Sequence, residues 1–535
     1  MRRLVGLVLA AMLVLSGCAS LAEPDEIEED WENFQQPVPQ EEPEDAGPAE
    51  PVYPAEFSLP YHRNQTLDPV TCGEGIQETV ASLVYEPLFA LDEQFRAEPV
   101  LCAGYEWNET GLVCTLTLRD GVTFSDGSAL TARDVAETLQ RAMESERYAY
   151  RLRDVASAAA NRAGQVVITL AAPNRGLPAL LDIPIVKRTT AEWPVPVGSG
   201  PYLFVSDPGG DYLMAREDWW QQKKCPVGTI PLVQAKDPET ARFLFDSGRV
   251  ELLTADPTGD PSLAAGKSQI TGQPTAVMQF IGFNTAEGRV FASAALRALF
   301  SLGIDRETLV DRQLVHMAAA AQFPISPLSP LYPKELEKAY DENQMLSALT
   351  NAGQASGDVK DLVMLVCQGN AFRSASARFI AEKLSLLDWN ISVSELPWEE
   401  YLAALGAGEF DLYFGEVRLT ADWNIADLVG TDGPLNYGGF GTDATDLLLA
   451  EFAAADQQEE AAKRLMANLQ AYAPVAPICF KEYAVLTHPG VVEGISPAPG
   501  GVFRNMEKWT VHLAPEPEPE MENPEVENDE AADPE

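Results

Sequence analysis

The chain is poor in the residues that build most enzyme centres. Its 535 residues include four histidines, His62, His316, His488 and His512. No two of them lie at the spacing of an H-E-x-x-H zinc site or of another paired metal ligand. No Walker lysine loop occurs, so no ATP hydrolysis is expected of this chain. The nearest approach to a nucleophile elbow, Val197-Gly198-Ser199-Gly200, has valine where G-x-S-x-G needs its first glycine. It reads as a turn before the strand Pro201–Val205. No catalytic, cofactor or metal site is expected. Basic residues are also scarce, at 37 Lys and Arg against 81 Asp and Glu, for a net charge of −44. Residues 19–56 and 515–535 hold 13 and 10 of the acids and no Lys or Arg. Residues 57–514 alone still carry about −23. So acidic a body excludes nucleic acid, whose phosphates need a basic surface, and attachment to anionic lipid by charge.

Long hydrophobic runs are missing too. The longest is the N-terminal "MRRLVGLVLAAMLVLSGCAS", where Leu4–Ser16 follow Arg2 and Arg3. That run is shorter than the roughly 20 residues needed to span a bilayer, and it reads as a signal peptide over residues 1–18. Leu15-Ser16-Gly17-Cys18 resembles the lipobox of bacterial lipoproteins. The resemblance implies that Cys18 receives a lipid and becomes the mature N-terminus, anchored on the outer face of the cytoplasmic membrane, or on the periplasmic side where an outer membrane exists. Six cysteines remain, Cys72, Cys102, Cys114, Cys225, Cys367 and Cys479, with no CxxC spacing. An exported chain permits disulfides. Cys102 and Cys114 flank an expected hairpin, Cys367 and Cys479 end two expected strands, and buried thiols are the other reading.

What is present divides the chain. Residues 19–56 combine seven prolines with their 13 acids, so they cannot bury a core. As an extended, self-repelling leash they reach on the order of 100 Å. The tail 515–535 has the same composition. Between them, apolar content near 46% over the whole chain fits globular structure, and the length predicts two to four domains. Gly75–Leu91 has helical spacing up to Pro87, and Glu106–Leu118 alternates as a hairpin. In "LTLRDGVTFSDGSALTARDV" (Leu116–Val135), Asp126-Gly127 is turn chemistry, Thr131 an N-cap and Asp134 a first-turn acid.

Residues 360–450 carry the clearest architecture. "LVMLVC" (Leu362–Cys367), "NISVSEL" (Asn390–Leu396) and "FDLYFGEV" (Phe410–Val417) read as strands, separated by helices at Ser374–Leu387 and Trp398–Leu405. Strand–helix–strand order with short connections predicts parallel strands in an α/β domain. In such sheets ligands gather at the carboxyl ends of the strands. Those ends hold Arg373, Trp398, Asp422 and Trp423.

Several segments in order resemble the family-5 extracellular solute-binding proteins, the peptide-type receptors of ABC importers. They are "QTLDPV", "LVYEPLF", "LTLRDGVTFSDGSALTARDV", "VPVGSGPYLFV" with "REDWW", "QFIGFNT" with "ALRALFSLGIDRETLV", "FDLYFGEVRLTADW" and "GVFRNMEKWTVHL". The Ala-rich stretches near 155–160 and 318–321 and both acidic tails depart from that pattern. The resemblance implies an α/β, two-lobed periplasmic-binding-protein-like fold of the class II type, flanked by disordered acidic tails. Lobe 1 would comprise residues 57–91, 197–277 and 483–514, with 92–196 as an added subdomain. Lobe 2 would be 278–482, with crossings near 278 and 482 as the hinge. It further implies a monomer that encloses a short peptide and delivers it to ABC permease and ATPase subunits. An oligosaccharide, a metal chelate or a peptide signal are the alternatives on the same fold.

The resemblance places Asp422 of "LTADWN" against the peptide's α-ammonium. Two unit charges about 4 Å apart are worth roughly 4 kcal/mol before desolvation, at an effective dielectric near 20. Capping the turn Asn424–Leu428 is the plainer role for Asp422. Arg373, read as lying in a loop just ahead of a helix, is the candidate for a peptide carboxylate. Arg378 is expected to pair outward with Glu382. Trp398, Trp423 and Tyr437 are candidate pocket walls, and the resemblance adds Tyr61, Tyr85 and Phe503 from the opposite lobe.

Overall fold

The computed structural model describes residues 53–515 apart from 259–267, 315, 344–346, 348–359 and 386–388. The expectations for Cys18, for nearly all of both acidic tails and for Leu387 lie outside the described residues.

Near the described N-terminus, Leu59–Tyr61 runs parallel to Thr229–Gln234, which continues antiparallel to Gly210–Ala215 and then Tyr202–Asp207. The helix Ile76–Val84 covers this sheet with Val80, Ala81, Leu83 and Val84, and it ends before Pro87 as its sequence predicts. The Val197–Gly200 segment is irregular rather than a turn, and it is pressed against that helix. A Cβ at Gly198 or Gly200 would overlap the Val84 carbonyl, so the glycines serve close packing. Residues from 57 to 85, 186 to 252 and 485 to 513 share this core.

A second four-stranded sheet joins Cys102–Trp107, Val113–Leu118, Val166–Leu170 and Val155–Ala160, all antiparallel. The Ala-rich stretch at 155–160 is thus its edge strand. The helix Ala132–Glu144 lies on the sheet and starts as a capping box. The Asp134 carboxylate accepts the Thr131 backbone N–H at 3.0 Å and the Thr131 hydroxyl. The signature stretch is scaffold.

The third sheet has seven strands. Its order is Leu252–Ala255, Val475–Thr487, Gln269–Phe283, Leu412–Arg418, Lys360–Cys367 and Trp389–Leu396, with Ala318–Ala320 also paired to Val475–Thr487. Lys360–Cys367 is parallel to both of its neighbours, as the strand–helix alternation predicts. The remaining pairings are antiparallel. The helices Ala371–Ser385 and Trp398–Ala407 make the two crossovers. Two long strands, Gln269–Phe283 and Val475–Thr487, pair along their length with register shifts between Pro274 and Met278 and between Gln279 and Phe280. Ala484 and Leu486 pack with the helix Pro238–Asp246, whereas Met278 and Phe480 lie among residues of the seven-stranded sheet.

One open alternative is resolved and two further expectations are corrected. No disulfide links any of the six described cysteines. Cys102 faces Leu118 and Cys114 faces Trp107 across the hairpin, so strand register sends the two thiols to different rungs. Burial pushes the Cys114 and Cys479 thiols up to about 12. The helix after Cys367 starts at Ala371 rather than Ser374, because Asn370 Oδ1 accepts the Arg373 N–H at 3.0 Å and caps it. Arg373 is therefore a buried first-turn residue and not a loop arginine. Arg378 pairs with Glu395 on the neighbouring strand instead of Glu382.

Candidate functional site

The end of the strand Leu412–Arg418 meets segments adjoining the first two sheets along one seam, Arg418 at Glu74 and Asp422 at Asn174. After Leu412–Arg418 the chain turns at Leu419–Trp423, and Asp422 is 7% exposed there. Its Oδ1 accepts the Thr420 hydroxyl and the Asn424 N–H at 3.2 Å. Its Oδ2 accepts Nδ2 of Asn174, which belongs to the segment after the second sheet, at 2.8 Å. All three donors are neutral, and among the described residues Asp422 has no ion pair. A carboxylate has about four acceptor positions, so one is left for a further donor. Its helix-capping role is present as well: it holds Asn424, and Asn424 Oδ1 accepts the Ala426 N–H at the start of the short helix Ala426–Val429.

The same seam closes around Asp422. Gly176 lies so near that a Cβ on it would stand 2.5 Å from the Asp422 Cβ. Arg153 pairs with Asp427, Arg175 pairs with Asp456 at 2.9 Å, and the Arg175 N–H donates to the Ala453 carbonyl at 2.8 Å. Trp423, 1% exposed, packs on Phe95 at 5.0 Å between ring centroids and on Phe480 at 5.7 Å. Further along, Arg418 reaches Glu74 at 3.2 Å and the Tyr483 hydroxyl at 3.0 Å. Asn370 Nδ2 donates to Thr258 at 3.1 Å.

Arg373 sits at the next strand end, 6% exposed, and among the described residues its buried Nε has no hydrogen-bond partner. An orphaned buried guanidinium donor is costly, and an anionic acceptor would satisfy it. Burial raises the hydroxyl of Tyr401, which lies within electrostatic reach of Arg373. Trp398 stacks on Tyr401 with centroids 6.2 Å apart, and Tyr437 stands edge-on to Tyr413. Trp423 shares one apolar cluster with Tyr401 and Tyr413, and Trp398 and Tyr437 pack against that cluster. The other three candidates do not join them. Tyr85 is buried with its hydroxyl on the Pro196 carbonyl at 3.0 Å, and Phe503 packs on Trp509. Tyr61 contacts Phe204 and lines an open cavity of about 420 Å³ with Arg63 and Asp211.

Pattern reading missed Asn174, Gly176 and Phe95, whose neighbours "PNRG" and "DEQF" carry only turn signals. It also missed Lys481, which had a visible signal as a lone cation in the apolar run "PICFKEY". Lys481 is 2% exposed, 2.7 Å from Asp256 and 3.2 Å from Glu416, where the two long strands cross. Burial opposes its charge, but Glu416 and Asp256 outweigh that and raise its pKa.

The model of bacterial extracellular solute-binding proteins, family 5, middle part, matches residues 96–428. The chain belongs to that family. Family-5 proteins are solute-binding proteins, not enzymes, and the two-lobed α/β architecture agrees with the fold of solved binding proteins. The chain is similar to the oligopeptide-binding protein AppA of Bacillus subtilis in complex with a nonapeptide. That match has 19% identity and a TM-score of 0.59, and covers 86% of this chain and 100% of the other. It is also similar to NikA of Brucella suis in complex with Fe(III)-EDTA, at 18% identity and a TM-score of 0.67, covering 86% and 100%. Among curated relatives, the glutathione-binding protein GsiB of Salmonella typhi is 25% identical over 309 residues, 55% of this chain and 60% of the relative. The chain therefore spans about 60% of the length of that relative. Among the described residues no helix is long and apolar enough to cross a membrane.

Proposed function

We propose that this family-5 protein is a lipid-anchored extracytoplasmic receptor that captures short peptides at the seam and hands them to an ABC permease and its ATPase. Cys18 is the anchor. Residues 57–91, 197–277 and 483–514, with 92–196 attached, move as one lobe against 278–482, and the peptide is enclosed as they close. One observation carries the reading: Asp422 is a buried carboxylate at the seam, held by neutral donors, with acceptor capacity left for a cation. In this reading the peptide's α-ammonium completes it, Arg373 takes a carboxylate, and Trp423, Trp398 and Tyr437 wall the side chains. A glutathione-binding relative and a nonapeptide complex support that chemistry.

A second reading has its own support. The orphaned Nε of Arg373 would equally suit the carboxylates of a metal chelate, and a fold neighbour holds Fe(III)-EDTA. Titration calorimetry with Gly-Ala-Ala and with N-acetyl-Gly-Ala-Ala separates the two. The peptide reading expects the free amine to bind at least tenfold more tightly. Equal binding, or binding of Fe(III)-EDTA alone, refutes it.

A further inference from the structure

Two residues that meet across the seam, Phe95 and Trp423, both have left-handed backbones, with φ of 63° and 55°. That region suits glycine, and bulky side chains enter it only where their surroundings hold them. Phe95 is the tip of the hairpin formed by Phe89–Leu91 and Ala97–Pro99. Its turn is tied down by Asp92, whose Oδ1 accepts the N–H groups of Gln94 and Arg96, both at 2.8 Å. Behind the turn, Arg504 pairs with Glu93 and with Glu98, and Leu91 packs on Gly500. The hairpin is thus anchored on the C-terminal segment, yet Phe95 is only 4% exposed, because its ring enters the apolar cluster of Trp423, Phe480, Met278 and Tyr413. A braced turn carrying a large ring in a glycine-like conformation is a fixed wall, not a mobile side chain.

That wall stands on the residue next to Asp422. If Asp422 receives the peptide's ammonium, the side chain of the peptide's first residue lies near the next residue, Trp423, whose ring is already packed against Phe95. We infer that Phe95 sets the size of the first side chain, so the site takes peptides that begin with a small residue and refuses those that begin with an aromatic one. This rests on the Asp422 reading.

Calorimetry on the full chain with Gly-Ala-Ala and Phe-Ala-Ala tests it, using the natural protein, Phe95→Gly and Phe95→Leu. Glycine suits the local φ, so Phe95→Gly keeps the turn, and Phe95→Leu keeps most of the apolar burial. The natural protein should bind the glycine-first peptide at least tenfold more tightly. Phe95→Gly should cut that ratio to about threefold or less by gaining affinity for Phe-Ala-Ala, and Phe95→Leu should fall between. Peptide binding with no preference, or a preference unchanged in both variants, overturns the role of Phe95 alone. Failure of the natural protein to bind either peptide overturns the Asp422 reading and this inference with it.

Discussion

Asn174 and Asp422 hold each other across the seam, amide nitrogen to carboxylate at 2.8 Å, although 248 positions separate them in the chain. The bond joins the segment after the second sheet to the tip of a strand in the third. Replacing Asn174 with alanine leaves Oδ2 of a buried carboxylate short of its donor, a loss of about 1–3 kcal/mol for the closed arrangement. The expected outcome is a larger radius of gyration by small-angle scattering, with a melting temperature close to that of the natural protein. An unchanged radius would mean that the bond does not hold the seam.

Gly176 gives a sharper version. Its added Cβ would meet the Cβ of Asp422 at 2.5 Å and its Cα at 3.1 Å, and a backbone atom cannot swing aside. Gly176→Ala should therefore keep the seam from closing and weaken Gly-Ala-Ala binding at least tenfold, leaving secondary structure by circular dichroism intact.

Much of this was legible beforehand, for physical reasons. Parallel strands and their crossover helices follow from alternating apolar runs of strand and helix length, and the capping box at Thr131 and Asp134 from local chemistry. The seam was half legible. Asp422 lies at a strand end, a position that local pattern locates. Its partners Asn174, Gly176 and Phe95 are set by how separate units pack, which no local periodicity records. The start of the helix at Ala371 is not marked locally, because its cap Asn370 follows a glycine and has the chemistry of a loop.

Glu86 is a buried carboxylate held only by neutral donors: Ser199 at 2.8 Å, Trp220 at 2.7 Å, Gln221 at 2.7 Å and Trp219 at 3.2 Å. Burial raises its pKa while those bonds pull it down, and burial prevails. In Glu86→Gln an NH₂ group would face two donors, so the variant should lose about 2 kcal/mol or more. A chemical-denaturation midpoint as high as that of the natural protein would contradict this.

Glu251 gives a pH dependence. Its carboxylate is buried and accepts the Ser58 N–H, and burial followed by the nearby Glu56 charge raises its pKa to about 7. A carboxyl raised in the folded state stabilises most at pH below its unfolded value, and that contribution is lost as pH rises through about 7. Melting temperature should fall between pH 5 and pH 8 in the natural protein. Glu251→Gln, which keeps an acceptor for Ser58 and cannot ionise, should match it at pH 5 and exceed it at pH 8.

The central claim is that the ammonium of a bound peptide completes Asp422. Native mass spectrometry of the purified protein, beside Asp422→Asn, tests it most directly after incubation with Gly-Ala-Ala. The account predicts a one-to-one peptide adduct on the natural protein and at least a tenfold loss of that adduct in the variant. Equal adducts on both proteins would contradict it.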